Sequence, residues 1–378
     1  MNCVFFVHSL LSDWNHGNAH FLRGITTELA LRGHGVGIYE PADSWSRTNL
    51  VGRYGEGVLH EFSSVYPSIN SILYDNGGPD LDIALDQADL VIVHEWNDPN
   101  LVGRIGEYRR QNNRFKLLFH DTHHRSVTAP QTMRLFDLSN YDGVLAFGAI
   151  IRDIYLQNGW TGRAWTFHEA ADIRIFHPAE TNEKEGDVVW IGNWGDEERT
   201  AELEEFLFGP VQSLNLRTGV YGVRYPGHTI DMLARRGIGY RGWLPNYRVP
   251  GTFARYRATV HVPRRPYAQA LRGIPTIRPF EALACGIPLI SAPWEDSEGL
   301  FTEGKDYLMA RNGKEMGSYL RAVVEDGSLA KALSENGRSA ILAGHTCGHR
   351  IDRLLGICEE IGIGKEKLFP VKTTREGV

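Results

Sequence analysis

The sequence predicts an α/β protein with two Rossmann-like, doubly wound parallel-sheet domains. At 378 residues, the chain exceeds the size at which a single hydrophobic core stops growing, which favours two domains. Short apolar segments alternate with longer amphipathic ones, as is typical of βαβ units. This alternation is interrupted by the polar, proline-containing residues 170–187 and then restarts. These observations divide the chain into two α/β halves of similar size.

Composition and charge restrict the classes of function. The 40 lysines and arginines against 46 aspartates and glutamates give a net charge of -6, which disfavours general attraction to nucleic acid or to an anionic membrane. The four cysteines are too far apart for a zinc pattern and are expected to be reduced, buried thiols. The amino terminus resembles a first strand and not a signal peptide, and no run of about twenty apolar residues occurs. A soluble, cytoplasmic protein is therefore expected.

Apolar segments in the first half predict a parallel sheet. The predicted strands cover residues 3–8, 35–39, 71–74, 90–94, 115–120, 143–147 and 165–168. The segment from Ala19 to Leu31 predicts a helix, and Gly33 follows it where a helix C-cap favours glycine. The stretch from Pro41 to Tyr66, rich in Ser, Trp, Tyr and Arg, is predicted to be a loop. Together these segments form a predicted first domain over residues 1–169.

The pattern restarts after a predicted linker over residues 170–187. Predicted strands cover residues 188–192, 217–221, 259–262 and 287–291, and predicted helices cover about 197–207 and 279–284. Gly286 ends the second of these helices, and Pro288 prevents its continuation. Residues 313–361 are predicted to be mostly helical. A second domain is therefore expected over residues 188–345, followed by a tail over residues 346–378.

Histidines end four of the predicted strands, and three of them are followed at once by a carboxylate: His8, His94–Glu95, His120–Asp121 and His168–Glu169. Because the carboxyl ends of parallel strands meet at one edge of a sheet, these side chains are expected to line one side of a cleft. They would hydrogen-bond sugar-like hydroxyls or move protons there. Satisfied core histidines and a metal site are the alternatives, and the lack of an HExxH spacing makes the metal site the weaker one.

Each half opens with a loop that leads from its first strand to its first helix. In the first half the loop contains His16 and Gly17, and the helix N-terminus after it offers free N–H groups to an anion or polar ligand. A capped turn is an equal alternative, and the pattern is not the GxGxxG of NAD sites. In the second half, Gly192 and Asn193 allow close approach of a ligand to the backbone. Arg199, in the predicted first helical turn, is placed to reach a diphosphate or is a plain surface arginine.

An arginine-rich segment runs from Arg235 to Phe280. It contains ten arginines and no lysine, aspartate or glutamate. Arginine's planar fork suits phosphate, so the segment indicates an anionic ligand, although some of its arginines are expected to pair with acids elsewhere. Arg264 and Arg265 are the best placed because they follow a predicted strand. The first acid after the run, Glu281, either complements a helix dipole or accepts both hydrogens of a ribose diol.

Four segments together resemble a known family. RPFEALACGIPLISAPWE, around Glu281, resembles the donor-binding segment of GT-B glycosyltransferases, in particular the GT4-like group and the spore-maturation CgeB-like proteins. HGNAHFLRGITTELALRGHGVGIYE resembles their amino-terminal loop, helix and strand. ADIRIFHP resembles their interdomain segment, and VVWIGNWGDEERTAELEEFL resembles the start of their second domain. The resemblance therefore covers most of the chain in the expected order.

The resemblance implies a transferase that takes a sugar from a UDP- or GDP-sugar bound in the cleft between two domains. It implies that Glu281 holds the ribose and that His120 contacts the transferred sugar. The family needs no metal, usually retains the anomeric configuration, and crosses its last helices back to the first domain. The implied catalytic residues are His16, His120 and Asp121, and the implied donor-binding residues are Gly17, Gly192, Asn193, Arg199, Arg264, Arg278 and Glu281. The nucleotide sugar is a co-substrate, so no cofactor is expected.

One position departs from the GT4-like pattern. That pattern places a second glutamate eight positions before the nucleotide-binding one, where this chain has Gly273. A nucleotide-sugar epimerase or hydrolase of the same fold is therefore an alternative, and so is a degenerate nucleotide-sugar-binding protein. The acceptor is a glycan, a small molecule, a protein or, as the weakest option, DNA. It is expected to bind first-domain loops such as residues 41–66.

Overall fold

The computed structural model describes residues 1–75, 77–181, 183–195 and 197–369. These residues form two compact units. The first contains residues 1–13 and 22–168 and the carboxyl-terminal segment from Cys347, and the second contains residues 14–21 and 169–346. Asn182 of the predicted linker, Asp196 of the predicted donor loop and residues 370–378 of the predicted tail lie outside the described residues.

A seven-stranded parallel sheet forms the centre of the first unit. Its strands are β1 (Asn2–Phe6), β2 (Gly35–Pro41), β3 (Ser71–Tyr74), β4 (Leu90–His94), β5 (Lys116–Asp121), β6 (Gly143–Ala146) and β7 (Ala164–Thr166). Their order across the sheet is β3-β2-β1-β4-β5-β6-β7. The chain reverses its direction of winding between β1 and β4, which makes the carboxyl ends of these two strands the switch point where such sheets bind ligands.

Helices alternate with these strands. They are α1 (Ala19–Leu31), α2 (Trp45–Tyr54), α3 (Gly57–Val65), α4 (Leu81–Ala84), α5 (Pro99–Asn112), α6 (Arg125–Thr128), α7 (Pro130–Met133) and α8 (Ala149–Gln157). The predicted bounds of α1 are confirmed, and its first residues, up to Phe21, are grouped with the second unit. The predicted loop over residues 41–66 is wrong, because α2 and α3 occupy it. Ser44 Oγ accepts a hydrogen bond from the Arg47 N–H at 3.4 Å and thereby starts α2.

The second unit contains a six-stranded parallel sheet. Its strands are β8 (Val188–Ile191), β9 (Thr218–Tyr221), β10 (Gly239–Gly242), β11 (Ala258–His261), β12 (Leu289–Ser291) and β13 (Leu308–Met309), in the order β10-β9-β8-β11-β12-β13. Its switch point is therefore between β8 and β11. Alternate strand residues pack on opposite faces, with Val188 and Trp190 in one buried cluster and Val189 and Ile191 in another.

The helices of this unit complete the second doubly wound layer. They are α9 (Thr200–Leu203), α10 (Gly209–Ser213), α11 (Gly227–Arg235), α12 (Val249–Ala254), α13 (Ile277–Ala284), α14 (Gly313–Glu325) and α15 (Gly327–Gly344). The last helices, α16 (Cys347–Glu360) and α17 (Lys365–Leu368), belong to the first unit. The helix predicted over 197–207 was placed too early: it begins at Thr200 and widens into a π-helical stretch over Glu204–Phe208.

The predicted fold class, two Rossmann-like doubly wound parallel sheets, is confirmed. The prediction that four strands end in histidine is only partly right. β4 ends at His94 and β5 contains His120, but β1 ends at Phe6 and β7 ends at Thr166, so His8 and His168 lie beyond their strands. All four cysteines are buried, and none forms a disulfide in the described part of the chain. No helix in the described part of the chain is both long and apolar enough to span a membrane.

Candidate functional site

Polar side chains gather at the carboxyl ends of β8 and β11 in the second unit. β8 leads into the loop that starts at Gly192, and β11 leads into the loop that contains Arg264. These two strands are neighbours and flank the switch point of the sheet. The sheet topology therefore brings two of the sequence-predicted donor residues to the edge at which parallel sheets bind ligands.

Two arginines flank Gly195 at this edge. Gly195 has φ +87°, and a Cβ added there would lie 2.9 Å from Arg199 Nε and 3.5 Å from Arg264 Nε. The left-handed backbone and the closeness of Arg199 both favour glycine at this position. Arg264 also pairs with Glu198 at 3.2 Å. The site therefore concentrates positive charge beside a tight loop.

Arg199 is held in place by backbone carbonyls instead of a carboxylate. Its guanidinium donates to the carbonyl oxygens of Val262, at 2.9 Å, and Asn193, and its centre lies 5.0 Å from the Trp190 ring. Loss of solvent and the charges of Arg264 and Arg278 lower the pKa of Arg199 to about 9, which leaves it charged at neutral pH. Within residues 1–75, 77–181, 183–195 and 197–369, no carboxylate forms an ion pair with Arg199.

His261, which the sequence reasoning missed, is buried at the end of β11. Its Nδ1 lies 2.9 Å from Ser291 Oγ, which itself donates to the Ala292 carbonyl at 2.7 Å. His261 therefore donates from Nδ1 and carries a lone pair on Nε2, for which no described residue offers a hydrogen bond. Burial and the charges of Arg199 and Arg278 lower the pKa of His261 to about 3, so it is neutral at pH 7. The signal was available, since this histidine also ends a predicted strand.

Glu281 lies in the middle of α13 and is fully buried. Its Oε1 accepts hydrogen bonds from His20 Nδ1 at 2.8 Å and from Asn246 Nδ2 at 3.1 Å, and its Oε2 pairs with Arg278. The Asp172 N–H donates to His20 Nε2 at 2.9 Å, so His20 is the neutral tautomer that donates from Nδ1. All these residues belong to the second unit. His20 and Asn246 were not among the predicted site residues.

The environment of Glu281 favours its ionised form. Burial raises its pKa, but the Arg278 charge and the hydrogen bonds from His20 and Asn246 outweigh burial and lower the pKa overall. The carboxylate is therefore held by two hydrogen bonds to Oε1 and by an ion pair at Oε2. A ribose diol would have to displace one of its present donors, so its ribose contact stays a prediction.

A second buried carboxyl group, Glu169, lies in the electrostatic field of Glu281. Burial and the Glu281 charge hold the pKa of Glu169 well above its usual range. Two buried carboxylates near each other do not both ionise readily, so the proton resides on Glu169. The pair thus consists of an ionised Glu281 and a neutral Glu169.

Glu169→Gln is expected to raise the unfolding temperature at pH 8 and to change it little at pH 4. The folded-state pKa of Glu169 exceeds the unfolded-state value, so the folded state binds this proton more tightly. The resulting stability is complete below the unfolded-state pKa and is lost as pH rises through the folded-state pKa. Glutamine stays uncharged throughout and avoids that loss. Thermal melts at both pH values measure the effect, with the exposed Glu335→Gln as control; equal shifts at the two pH values would contradict it.

Gly192 and Asn193, two further predicted donor-binding residues, lie in a loop that is hydrogen-bonded to neighbouring loops. Asn193 Oδ1 accepts from the Val223 N–H at 2.9 Å, and Asn193 Nδ2 donates to Asn15 Oδ1 at 2.6 Å. A Cβ on Gly192 would lie 2.5 Å from the Trp190 ring, so this position requires glycine. The amide of Asn193 is therefore used to join loops of the second unit.

The amino-terminal loop with His16 and Gly17 is also grouped with the second unit. His16 is buried, and its carbonyl accepts from the Ala19 N–H at 3.3 Å. A Cβ on Gly17 would lie 3.5 Å from the Ile277 side chain, an ordinary contact. The structure therefore places this loop next to the start of α13, with no steric requirement for glycine at position 17.

The expectation that some arginines of the run pair with acids elsewhere is confirmed, and it holds for most of them. In the described part of the chain, at least eight of its ten arginines form ion pairs with acids that are distant in sequence or follow the run. The pairs are Arg236–Glu204, Arg241–Glu185, Arg255–Glu185, Arg257–Asp187, Arg264–Glu198, Arg265–Glu202, Arg272–Glu295 and Arg278–Glu281. Most arginines of the run are therefore ion-paired, including Arg264 and Arg278, and the candidate anion-binding group consists of these two and Arg199.

The predicted catalytic pair His120 and Asp121 lies at the carboxyl end of β5 in the first unit. Burial lowers the pKa of His120 to about 3, and its ring contacts those of His94 and Phe167. Asp121 accepts from the Tyr155 hydroxyl at 2.9 Å and from the His123 N–H at 3.0 Å. Both side chains are fully enclosed. The pair is placed at a ligand-binding edge, beneath the residues that contact solvent.

A buried ion pair lies beside Asp121. Glu95 pairs with Arg125, whose guanidinium lies 4.3 Å over the Trp96 ring. Burial and the neighbouring Asp121 charge raise the pKa of Glu95, and Arg125 opposes that shift. This site thus holds two carboxyl groups and one guanidinium at the ends of β4 and β5.

Gly273, where the GT4-like pattern has glutamate, cannot accept a side chain. Its φ is +90°, and a Cβ there would lie 2.5 Å from Ser297 Oγ and 2.9 Å from Glu298 Cγ. The backbone conformation at position 273 and the packing of residues 297–298 therefore both disfavour the glutamate of the GT4-like pattern.

Gly273→Glu is expected to lower the free energy of unfolding by roughly 2 kcal/mol or more and to give no gain in activity. The left-handed backbone alone costs about 1–3 kcal/mol for a non-glycine residue, and the overlap with Ser297 adds to it. Gly304→Glu is the matched control, because Gly304 has φ +78° but open space around it. Urea unfolding measures both variants; equal losses would show that overlap contributes nothing at Gly273.

No group of three or more His, Cys, Asp or Glu side chains is arranged to hold a metal ion among the residues that the structure describes.

Comparisons with known proteins match part of the chain to a family and the whole fold to solved structures. Residues 199–356 match the model of a family described as "Glycosyl transferase-like". This segment contains Arg199, Arg264, Arg278 and Glu281. No curated protein matches the sequence.

Solved structures share the fold at low sequence identity. Sucrose-phosphate synthase from Thermosynechococcus elongatus has a TM-score of 0.63 at 13% identity, covering 96% of this chain and 99% of that one. HepE from Anabaena, in complex with UDP-glucose, has a TM-score of 0.66 at 13% identity, covering 95% and 100%. An α-glucosyltransferase in complex with UDP and a 13-mer DNA has a TM-score of 0.69 at 11% identity, covering 95% and 99%. The chain therefore has the GT-B fold, and its family match supports a glycosyltransferase.

Proposed function

We propose that the chain is a glycosyltransferase that takes its sugar from a nucleoside-diphosphate sugar, with a UDP-sugar as the first candidate. The diphosphate binds the second unit at the carboxyl ends of β8 and β11. HepE in complex with UDP-glucose and the α-glucosyltransferase in complex with UDP support the choice of uridine. The acceptor is a separate question, because DNA is bound in the α-glucosyltransferase complex whereas the HepE complex contains UDP-glucose.

The positive charge around Gly195 carries this proposal. Arg199, Arg264 and Arg278 lie close enough for two of them to lower the pKa of the third, while two carboxylates pair with the group. A diphosphate at this point supplies the missing negative charge and accepts charge-assisted hydrogen bonds from the guanidinium groups. The lone pair on His261 Nε2 offers a buried acceptor to a ligand hydroxyl or N–H. The site thus has unused capacity for an anion that also donates hydrogen bonds.

The same arginines define the proposed chemistry. When the glycosidic bond to the diphosphate breaks, negative charge develops on the leaving oxygen, and pre-positioned guanidinium groups stabilise it. We therefore propose metal-independent transfer, with retention of the anomeric configuration as the resemblance to GT4-like and CgeB-like enzymes implies. His16, His120 and Asp121 stay proposed catalytic residues. The low pKa of His120 makes it a neutral hydrogen-bonding group at pH 7.

Calorimetric titration with UDP, GDP, TDP and ADP, with EDTA or with magnesium, tests the donor site. Binding of UDP in EDTA, tighter than that of the other three, supports the proposal as stated. Tighter binding of another nucleotide would identify that nucleotide, and not UDP, as the donor. Binding that requires magnesium would contradict the proposal that transfer is metal-independent. No binding to any nucleotide sinks the proposal.

Incubation with the matching nucleotide sugar then separates the alternatives. Release of free sugar without an acceptor identifies a hydrolase, and a changed sugar on the nucleotide identifies an epimerase. The absence of any turnover, with tight binding, identifies a nucleotide-sugar-binding protein. Proton NMR of a transferred sugar reports whether the anomeric configuration is retained.

A further inference from the structure

Four aromatic side chains form a continuous row along the carboxyl edge of the first sheet. The members of this aromatic row are Trp45, His8, Trp96 and His123, and they follow β2, β1, β4 and β5 respectively. These strands are consecutive neighbours in the sheet. His8, Trp96 and His123 each lie two residues after the end of their strand. The parallel topology therefore places the rings side by side.

Ring contacts hold the aromatic row together. His8 stacks on Trp45 with centroids 4.5 Å apart, Trp45 meets Trp96 edge to face at 6.3 Å, and Trp96 meets His123 edge to face at 5.0 Å. Each indole is supported on one side, Trp45 by His8 and Trp96 by the Arg125 guanidinium at 4.3 Å. Both indoles and His123 nevertheless stay partly exposed to solvent. The rings are thus fixed before any ligand arrives, which lowers the entropic cost of binding.

The row spans the switch point between β1 and β4, where ligands bind in open parallel sheets. Partly exposed indole rings in such a position are costly to leave in water and favour a ligand with flat apolar surfaces. Polar groups lie under the rings: His94 Nε2 is 3.1 Å from Thr122 Oγ1, which donates to Glu95 Oε1 at 3.4 Å. These groups are buried and bond to each other, so a ligand at this edge meets the partly exposed rings of Trp45, Trp96 and His123, which combine apolar faces with polar ring nitrogens.

The charges beside the row select against a phosphate-rich ligand. The guanidinium that stacks on Trp96 belongs to Arg125, which contacts Glu95 and also lies in the field of the Asp121 carboxyl group. Arg47, in the helix that Trp45 begins, lies 3.9 Å from the Glu56 carboxylate. Single-stranded nucleic acid also stacks on aromatic rings, but it requires a positively charged groove that follows its backbone. The paired arginines and the carboxyl groups of Glu95 and Asp121 do not provide one.

We propose that the aromatic row binds an uncharged saccharide chain, whose pyranose rings lay their C–H faces on Trp45 and Trp96. This inference rests on the proposed function, for which the saccharide is the sugar acceptor. His8 and His123 lie at the same edge and hydrogen-bond or pack against the hydroxyl rims of the rings. An oligosaccharide of several units fits because the row extends across four strands.

Fluorine NMR on the full chain with 5-fluorotryptophan tests the proposal. The nine tryptophans give separate probes, and Trp45→Phe and Trp96→Phe assign the two resonances of interest. The ligands are neutral hexasaccharides of α-1,4-glucose, β-1,4-glucose, β-1,4-xylose, α-1,6-mannose and β-1,4-N-acetylglucosamine, with oligothymidylate for comparison. We expect at least one hexasaccharide to shift the Trp45 and Trp96 resonances, and oligothymidylate to shift neither.

Substitution then measures the contribution of the rings. Trp45→Ala and Trp96→Ala are each expected to weaken binding of that hexasaccharide about tenfold. Trp160→Ala is the matched control, because Trp160 is a partly exposed tryptophan of the same unit that precedes β7 and so lies away from the carboxyl edge. An unchanged melting temperature verifies that the variants fold, and Trp45→Phe and Trp96→Phe, which preserve a ring, are expected to bind nearly as well as the wild type.

Oligothymidylate shifting the two resonances, or no hexasaccharide shifting them, overturns the proposal. So does an equal loss of binding in Trp160→Ala. Titration of the same labelled sample with UDP keeps the two proposals apart. Saccharide binding without UDP binding would support the aromatic row as a saccharide site and contradict the proposed transferase function. UDP binding and turnover without saccharide binding would contradict only the proposal for the aromatic row.

Discussion

Replacing Glu281 with alanine is expected to lower the free energy of unfolding by about 3–5 kcal/mol, the usual cost of breaking a buried ion pair from one side. The variant leaves the Arg278 guanidinium without its carboxylate and removes the acceptor for His20 and Asn246. Urea unfolding followed by circular dichroism measures the loss. The matched control is Glu295→Ala, which breaks the exposed pair with Arg272 at 3.3 Å and is expected to cost about 0–1 kcal/mol.

Glu281→Gln separates the structural role of this residue from a role in binding ribose. Glutamine keeps a carbonyl acceptor for His20 and Asn246, so this variant is expected to retain more stability than alanine. If the carboxylate also binds the ribose, Glu281→Gln loses about 1–3 kcal/mol of UDP affinity and none of its affinity for inorganic pyrophosphate. Equal affinity for UDP in wild type and Glu281→Gln would remove the ribose contact and leave Glu281 a purely structural group.

Replacing Arg199 with methionine is expected to weaken UDP binding about 100-fold. Two charge-assisted hydrogen bonds at about 1.5 kcal/mol each give roughly 3 kcal/mol, which corresponds to two powers of ten. Methionine keeps an unbranched apolar stem to pack on Trp190 while removing the charge. Calorimetry with UDP measures the loss, and uridine, which has no phosphate, is expected to bind both proteins equally.

Arg255→Met is the control for this prediction. Arg255 comes from the same arginine-rich segment but pairs with Glu185 at 3.0 Å at a largely exposed position. Its replacement is expected to leave UDP affinity unchanged. A similar loss in Arg255→Met, or an equal loss for uridine and UDP in Arg199→Met, would exclude a specific contact between Arg199 and the diphosphate.

Local sequence patterns predicted most of the fold because helix periodicity, helix caps and apolar strands depend on interactions between residues that are close in sequence. The bounds of α1 follow from its apolar periodicity and from Gly33, which has φ +84° after the last turn. The parallel strands follow from their apolar runs. The failure at residues 41–66 was avoidable, since Ser44 and Gly55 are the start and stop signals of α2 and only the apparent lack of periodicity masked them.

The site was less predictable because its geometry depends on contacts between distant segments. Glu281 was identified from its local sequence, but its donor His20 is 261 positions away and nothing in either segment pairs them. For the same reason, the sequence did not show which arginines of the run are ion-paired. Its carboxylate partners, such as Glu185 and Glu204, lie outside it and meet it only in the folded second unit.

The grouping of residues 14–21 with the second unit has a consequence for the way such chains exchange parts during evolution. Gene shuffling that transfers residues 169–346 from one relative to another replaces Glu281 and Asn193 but leaves the recipient's His20 and Asn15 in place. Such a hybrid combines hydrogen-bond partners of different ancestry at two buried or half-buried contacts. Viable hybrids are therefore expected to inherit the short amino-terminal segment together with the second unit, or to have identical residues at those positions already.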